Sequence, residues 1–142
     1  MPATPETILA FDFGKRRIGV AVGQRVTDSA SPLGVVRNGE GGVDWPAIDA
    51  LVREWRPARL IVGMPRHADG KDSEMTPLVE AFATGLARYG IPVETQDERY
   101  SSVEAEARLK SARATGQTGR ITREKIDSAA ATLIAERWLG RN

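Results

Sequence analysis

Short apolar runs separated by polar turns dominate the first part of the chain. Residues 8–11 and 18–22 are continuous apolar runs, which are typical of strands buried on both faces. The short turn at residues 14–16 between them makes the pair a predicted β-hairpin. Further apolar runs predict strands at residues 33–37, 59–64 and 91–97, with residues 24–32 as a loop. Pro92 places the fifth strand at an edge of the sheet or at a strand entry.

Apolar side chains at helical spacing fill the stretches between and after these later strands. The predicted helices cover residues 45–56, 73–89, 101–114 and 122–139. Asp44 can cap the first helix, Ser73 can start the second and Gly90 can stop it. The order strand, strand, strand, helix, strand, helix, strand, helix, helix predicts an α/β fold, with helices packed against a five-stranded mixed sheet. The length of 142 residues favours a single domain, residues 1–142.

Asp12 interrupts the first apolar run, with Phe13 beyond it. Strand alternation places Asp12 on the same face as Ile8 and Ala10. An unpaired carboxylate there would cost several kcal/mol or become the neutral acid. A bound cation or a cationic side chain would remove this cost, and we favour that interpretation. The alternative is an aspartate at a frayed strand end that caps the turn.

Asp127 lies on the apolar face of the last predicted helix. A helical wheel aligns it with Ala131, Ile134 and Trp138, whereas Ser128 falls off this stripe. Asp127 is therefore predicted to point toward the buried side. It could be a functional acid, or a buried aspartate satisfied by a hydrogen bond or an arginine, and the sequence leaves both interpretations open.

Glu98 follows the fifth strand, at the kind of strand end where α/β sheets form sites. Asp97 and Glu98 point to opposite faces, so we expect at most one of them to face Asp12. The alternative is a solvated strand end with a local Glu98–Arg99 pair. Carboxylates gathered from distant segments suit Mg²⁺ or Mn²⁺. One histidine and no cysteine argue against zinc, and the lack of cysteine excludes disulfides and thiol catalysis.

Several segments, in order along the chain, resemble the YqgF (RuvX) family. They read DFGKRRIGVAV at residues 12–22, SPLG at 31–34, VGMP at 62–65 with DG at 69–70, DERYSSVEA at 97–105 and KIDSAAA at 125–131. Gly23-Gln24 and His67 depart from residues that are common in the family. Members of this family are described as precursor 16S rRNA nucleases and as Holliday-junction resolvase-like proteins.

The resemblance implies a ribonuclease H-like fold and a divalent-metal nuclease with a two-ion Mg²⁺ or Mn²⁺ site. It places the catalytic, metal-binding acids at Asp12, Glu98 and Asp127, with Asp12 bridging the two ions. It also implies processing of the 5′ end of precursor 16S rRNA. A Holliday-junction resolvase-like DNA endonuclease and a non-catalytic nucleic-acid-binding module remain as alternatives. The Asp-x-Gly pattern at Asp12 also occurs in actin-like ATPases, an interpretation that tight ATP binding would favour.

Basic residues cluster beside the candidate acids, although the formal net charge is only +1. The predicted nucleic-acid-binding residues are Lys15, Arg16, Arg17, Arg99, Arg108, Lys110, Arg113, Arg120, Arg123 and Lys125. The alternative is that these residues belong to ordinary solvated helix faces.

The expected partner is nucleic acid, either precursor rRNA or branched DNA, and a homodimer is left open. No apolar run approaches the ~20 residues of a membrane span. Residues 1–7 are polar with two prolines and hold no signal-peptide core, so we expect no membrane partner and a cytoplasmic protein. His67, in a polar loop, is interpreted as a surface residue, with proton transfer as the alternative.

Overall fold

The computed structural model describes residues 6–65, 74–97, 101–116 and 119–141. The elements are β1 (Thr7–Phe13), β2 (Arg17–Gln24), β3 (Ser29–Arg37), α1 (Trp45–Trp55), β4 (Arg59–Met64), α2 (Thr76–Leu86), β5 (Val93–Asp97), α3 (Ser101–Ala114) and α4 (Arg123–Arg141). A short 3₁₀ turn, Ala87–Tyr89, follows α2. This succession of strands and helices is the one predicted from the sequence, and the α/β class is confirmed.

The sheet has five strands in the order β3-β2-β1-β4-β5. β1, β2 and β3 pair in antiparallel fashion, whereas β4 runs parallel to β1 and β5 runs parallel to β4. The sheet is therefore mixed, as predicted. β5 is an edge strand, which agrees with the proline that precedes it. Within the described ranges, no helix combines the length and the apolar character needed to span a membrane.

Several predicted boundaries differ from those of the structure, most of all at β3 and α2. β3 begins at Ser29, so the predicted loop at residues 24–32 shrinks to residues 25–28. Pro32 lies within β3 opposite Ala21, beside an irregularity in the pairing with β2. An edge strand tolerates a proline there because no further strand needs its missing N–H. α2 begins at Thr76, and Ser73 lies outside the described residues.

One face of the sheet packs against α1 and α2. Leu9 and Phe11 of β1 are fully buried in this cluster, together with Ile48 of α1 and Phe82 of α2. The predicted cap of α1 is confirmed, because the Asp44 side chain accepts a hydrogen bond from the N–H of Ala47 at 3.2 Å. This layer forms the larger part of the core.

The other face packs against α4. Ile8 and Ala10 of β1 are fully buried against Ile134 and Trp138 of α4. α3 forms a further layer, since its Ala105 packs against two residues of α4, Ala130 and Leu133. β1 therefore lies between two helical layers, and Asp12 shares the α4 face by strand alternation.

Candidate metal and nucleic-acid site

Asp12 is the next-to-last residue of β1, just before the β1–β2 turn, and it pairs with Gly19 of β2. Paired residues of antiparallel strands share a face, with Cα atoms roughly 4.5–5.5 Å apart. Ile8 and Ala10, four and two residues earlier, lie beneath α4. The position of Asp12 on this face is the one that alternation predicts, and its side chain is half-buried.

Gly19 lets the first turns of α4 approach the sheet beside Asp12. A Cβ at Gly19 would lie 2.0 Å from the carbonyl oxygen of Asp127 and 2.5 Å from its carbonyl carbon. No side chain fits at such distances, so only glycine allows this contact. Because Gly19 is the cross-strand neighbour of Asp12, the contact brings the backbone of Asp127 next to the end of β1.

Ser128 fixes the rotation of α4 at the same point. Its Oγ accepts a hydrogen bond from the N–H of Gly34 at 3.0 Å and donates one to the carbonyl of Val20 at 3.3 Å. The prediction that Ser128 lies off the buried stripe was wrong, because this turn of α4 contacts both β2 and β3 and is covered on two sides. One signal in the sequence could have indicated this role. Ser128 precedes a run of alanines, and a polar side chain on such an apolar stretch of helix needs a hydrogen-bond partner.

Asp12 and Asp127 line one open pocket of about 450 Å³. The other lining residues are Phe13, Gly14, Lys15, Arg16, Arg17, Met75 and Arg123. The structure thus brings together two of the predicted acids and four of the predicted cations. The cations come from the β1–β2 turn, the start of β2 and the start of α4.

Arg17 forms an ion pair with Asp127 in this pocket. Its Nε donates to Oδ2 of Asp127 at 2.9 Å, and the two side chains are 23% and 22% exposed. The alternative interpretation of Asp127 was a buried aspartate that an arginine satisfies, and Arg17 is that arginine. The same contact joins Arg17, a predicted nucleic-acid-binding residue, to Asp127, a predicted metal ligand. Asp127 can therefore be both a functional acid and the partner of an arginine.

Asn38 holds the turn that carries Lys15 and Arg16, and sequence analysis missed it. Its Nδ2 donates to the carbonyls of Gly14 and Lys15 at 2.9 and 3.1 Å, and its backbone N–H donates to the carbonyl of Arg16 at 2.9 Å. Its Oδ1 is buried and has no hydrogen-bond partner in the described part of the chain. An asparagine that follows a strand reads as an ordinary turn residue, which gave no signal of this role.

The remaining predicted cations that the structure describes lie outside this pocket. Arg108 of α3 pairs with Glu136 of α4 at 2.9 Å, and Lys125 donates to the carbonyl of Arg120 at 2.7 Å. Lys110 and Arg113 are exposed on α3. Arg108, Lys110 and Arg113 thus lie along α3, and Lys125 lies in the first turn of α4.

Glu98, Arg99 and His67 lie outside the described residues. The register of β5 does answer the question about Asp97, which pairs with Met64. Met64 is buried in the layer formed with α1 and α2, so Asp97 lies on the face opposite Asp12. Among the described residues, no group of three or more acidic, histidine or cysteine side chains is close enough to hold a metal ion.

The donor chemistry of the pocket fits a hard divalent cation. Asp12 and Asp127 offer carboxylate oxygens, which Mg²⁺ and Mn²⁺ prefer, and the open pocket leaves room for water ligands. The neighbouring lysine and arginines suit phosphate groups.

Comparison with known proteins matches residues 6–141 to the RuvX family, described as Holliday junction resolvase. A protein of Azotobacter vinelandii named "Putative pre-16S rRNA nuclease" is 44% identical over 137 residues, which cover 95% of this chain and 94% of that protein. A protein of the same name from Dechloromonas aromatica is 45% identical over 133 residues, covering 93% and 89%.

Solved structures show the same fold at low sequence identity. RuvC of Thermus thermophilus, in complex with a Holliday junction substrate, matches with a TM-score of 0.52 and 16% identity, covering 91% of each chain. The yeast mitochondrial Holliday junction resolvase Ydc2 matches with a TM-score of 0.55 and 12% identity, covering 97% of this chain and 80% of that one. The ribonuclease H-like fold implied by the sequence resemblance is confirmed. The family match spans nearly the whole chain, and this protein therefore belongs to the RuvX family.

Proposed function

We propose that this protein is a divalent-metal-dependent nuclease that hydrolyses phosphodiester bonds in structured nucleic acid, with the 5′ end of precursor 16S rRNA as its substrate. It would act as one domain, residues 1–142, in the cytoplasm. The observation that carries the proposal is the shared pocket, in which Asp12 and Asp127 meet four cationic side chains. Carboxylates for a metal ion and cations for phosphates are the two requirements of such a site.

The ion would be Mg²⁺ or Mn²⁺, held by Asp12, Asp127 and Glu98. When bound, such ions supply Lewis-acid activation of water and stabilisation of the leaving oxygen. Asp97 lies on the face opposite Asp12, and at most one of the two adjacent acids was expected to face Asp12. This supports Glu98 rather than Asp97 as the third acid.

The cations of the pocket would bind and orient the substrate backbone. Lys15 and Arg16 are exposed on a turn whose carbonyls are held by Asn38, so their Cα positions are fixed while their side chains reach outward. Arg123, the first residue of α4, lines the same pocket. A phosphodiester bound by these groups would enter the pocket that the two aspartates line. Contacts of this kind read backbone and shape rather than base sequence.

Two substrates can be distinguished by experiment. The names of the relatives favour precursor rRNA, whereas the description of the family favours a four-way DNA junction. The purified protein is incubated with a precursor 16S rRNA 5′ segment, single-stranded RNA or a four-way DNA junction, with Mg²⁺, Mn²⁺ or EDTA. We expect metal-dependent cleavage of the structured RNA, and preferential cleavage of the junction would favour the second substrate. Binding without cleavage under either ion would contradict the nuclease proposal and favour a binding module.

The same assay tests the acids. Asp12→Asn and Asp127→Asn keep the shape of each side chain and remove one charge. We expect both to fold, to lose the rise in melting temperature that Mn²⁺ gives the parent, and to lose cleavage by on the order of 10²-fold or more. Asp28→Asn, at an exposed aspartate in the β2–β3 turn, is the matched control and should behave as the parent. A well-folded Asp127→Asn protein that cuts at the parent rate would refute the site.

A further inference from the structure

We propose that Arg17 exchanges partners, from Asp127 in the free protein to a substrate phosphate in the complex, and thereby couples nucleic-acid binding to metal binding. This inference rests on the proposed nuclease function and concerns how its site is regulated. The observation behind it is the 2.9 Å ion pair between Arg17 and Asp127 inside the pocket.

The ion pair joins two separately anchored elements. Asp127 is fixed by the contact of its backbone with Gly19 and by the hydrogen bonds of the next residue, Ser128. Arg17 is the first residue of β2, opposite Arg37 of β3. Neither backbone needs to move for the guanidinium to leave the carboxylate, because the long arginine side chain can change rotamer alone. The exchange therefore requires only a side-chain movement within one pocket.

The ion pair opposes metal binding by Asp127. Oδ2 accepts a charge-assisted hydrogen bond from the guanidinium, so a cation that approaches this oxygen must displace the donor and is repelled by its charge. A phosphate group offers the guanidinium another anionic partner, with matching bidentate geometry. Nucleic acid would thus draw Arg17 away and free the oxygen for the ion. By linkage, the ion must then raise nucleic-acid affinity by the same factor.

Arg16 gives a matched control for this idea. It lines the same pocket and carries the same charge, but its side chain is exposed and forms no ion pair with the described residues. Removing Arg16 changes the long-range field at the acids, which salt screens. Removing Arg17 changes that field and also deletes the direct contact. The difference between the two variants isolates the contact.

The first measurement is calorimetric titration of Mn²⁺ into the protein without nucleic acid. We expect Arg17→Ala to bind Mn²⁺ roughly three- to fivefold more tightly than the parent, the upper part of the range for one partly exposed ion pair. Arg16→Ala should gain about twofold or less. Arg17→Lys, which keeps the charge and loses the planar fork, should fall between them and serves if Arg17→Ala fails to fold.

The second measurement is the affinity for a fluorescent RNA hairpin with nuclease-resistant phosphorothioate linkages, at zero and saturating Mn²⁺. The ratio of the two affinities is the coupling. We expect it to be largest in the parent, retained in Arg16→Ala and reduced toward one in Arg17→Ala.

Equal Mn²⁺ affinities and equal coupling in Arg17→Ala and Arg16→Ala would overturn the exchange. Asp127→Asn separates this outcome from failure of the proposed function. If Asp127→Asn abolishes Mn²⁺ binding and Arg17→Ala behaves as Arg16→Ala, only the exchange is wrong. If Asp127→Asn leaves Mn²⁺ binding unchanged, the metal site itself is wrong, and the exchange fails with it.

Discussion

Replacing Gly19 by alanine tests how the two aspartates are brought together. The new Cβ would lie 2.0 Å from the Asp127 carbonyl oxygen, whereas ordinary contacts begin at 3.4 Å. Relieving the clash requires β2 and α4 to separate by about 1.4 Å along that line. The obstructing atom is backbone, and Ser128 ties the same turn to β2 and β3, so no side-chain rotation can relieve it.

We expect Gly19→Ala to be destabilised by about 3 kcal/mol or more, the upper end for overpacked cores. For a chain of this size that corresponds to a fall in melting temperature of roughly 10 °C. Displacement of Asp127 should also weaken the Mn²⁺ response and reduce cleavage by on the order of 10²-fold, as misplacements near 1 Å do. Thermal melting with and without Mn²⁺, followed by cleavage well below the melting temperature, measures all three effects.

Gly23→Ala is the matched control, on the same strand and beneath the same helix. Its Cβ would meet Ile8 Cγ1 at 2.9 Å and Leu139 Cδ1 at 3.3 Å, which are side-chain atoms and not backbone. We expect a loss of about 1–2 kcal/mol, smaller than that of Gly19→Ala, and an unchanged Mn²⁺ response. The backbone entropy that alanine removes from the unfolded chain is shared by both variants. A Gly19→Ala protein as stable and as responsive to Mn²⁺ as Gly23→Ala would refute the close-approach argument.

Three further predictions address the helix anchor, the basic residues and an alkaline transition. Ser128→Ala leaves a backbone donor of β3 without its partner and should lower the free energy of unfolding by about 1–3 kcal/mol, which urea denaturation measures. Arg123→Ala should weaken nucleic-acid binding and flatten the slope of log affinity against log salt by about 0.7–0.9, and equal effects from Arg113→Ala, outside the pocket, would contradict the assignment. Burial and a hydrogen bond to Asp49 raise the pKa of Tyr89 well above its usual value. The folded state therefore holds this proton more tightly than the unfolded state, and the free energy of unfolding should fall as pH rises above ~10. Tyr89→Phe should remove that part of the pH dependence in melting experiments.

The sequence predicted the elements well because their signals are local. The hairpin, the Asp44 cap and the third helix follow from apolar periodicity and capping residues within a few positions. The start of β3 was wrong because an edge strand can include Pro32, and this depends on which neighbours the strand has. Sheet order decides that question, and no local pattern contains it.

The candidate site could likewise be predicted only in part. Strand alternation predicted the face on which Asp12 lies, and helical periodicity predicted that Asp127 points toward the protein interior. Their meeting depends on Gly19, a residue that reads as an ordinary small position in an apolar strand until α4 is seen against it. The Arg17–Asp127 pair joins residues 110 positions apart and could not be predicted from spacing. The three-acid assignment stays a prediction, because Glu98 lies outside the described residues.

Asp127 and two of the four cations of the pocket, Lys15 and Arg16, are positioned by different parts of the fold. Asp127 is set by the packing of α4 on β2, through Gly19 and Ser128. Lys15 and Arg16 are set by a turn that Asn38 holds from the end of β3. Changes in one support should therefore leave the other in place, since no residue belongs to both. Arg17 differs, because it follows the turn in sequence and contacts an acid in space. The Arg17–Asp127 ion pair therefore connects the segment that binds phosphate with a residue that binds the metal ion. This connection is the physical reason to assign the coupling to Arg17.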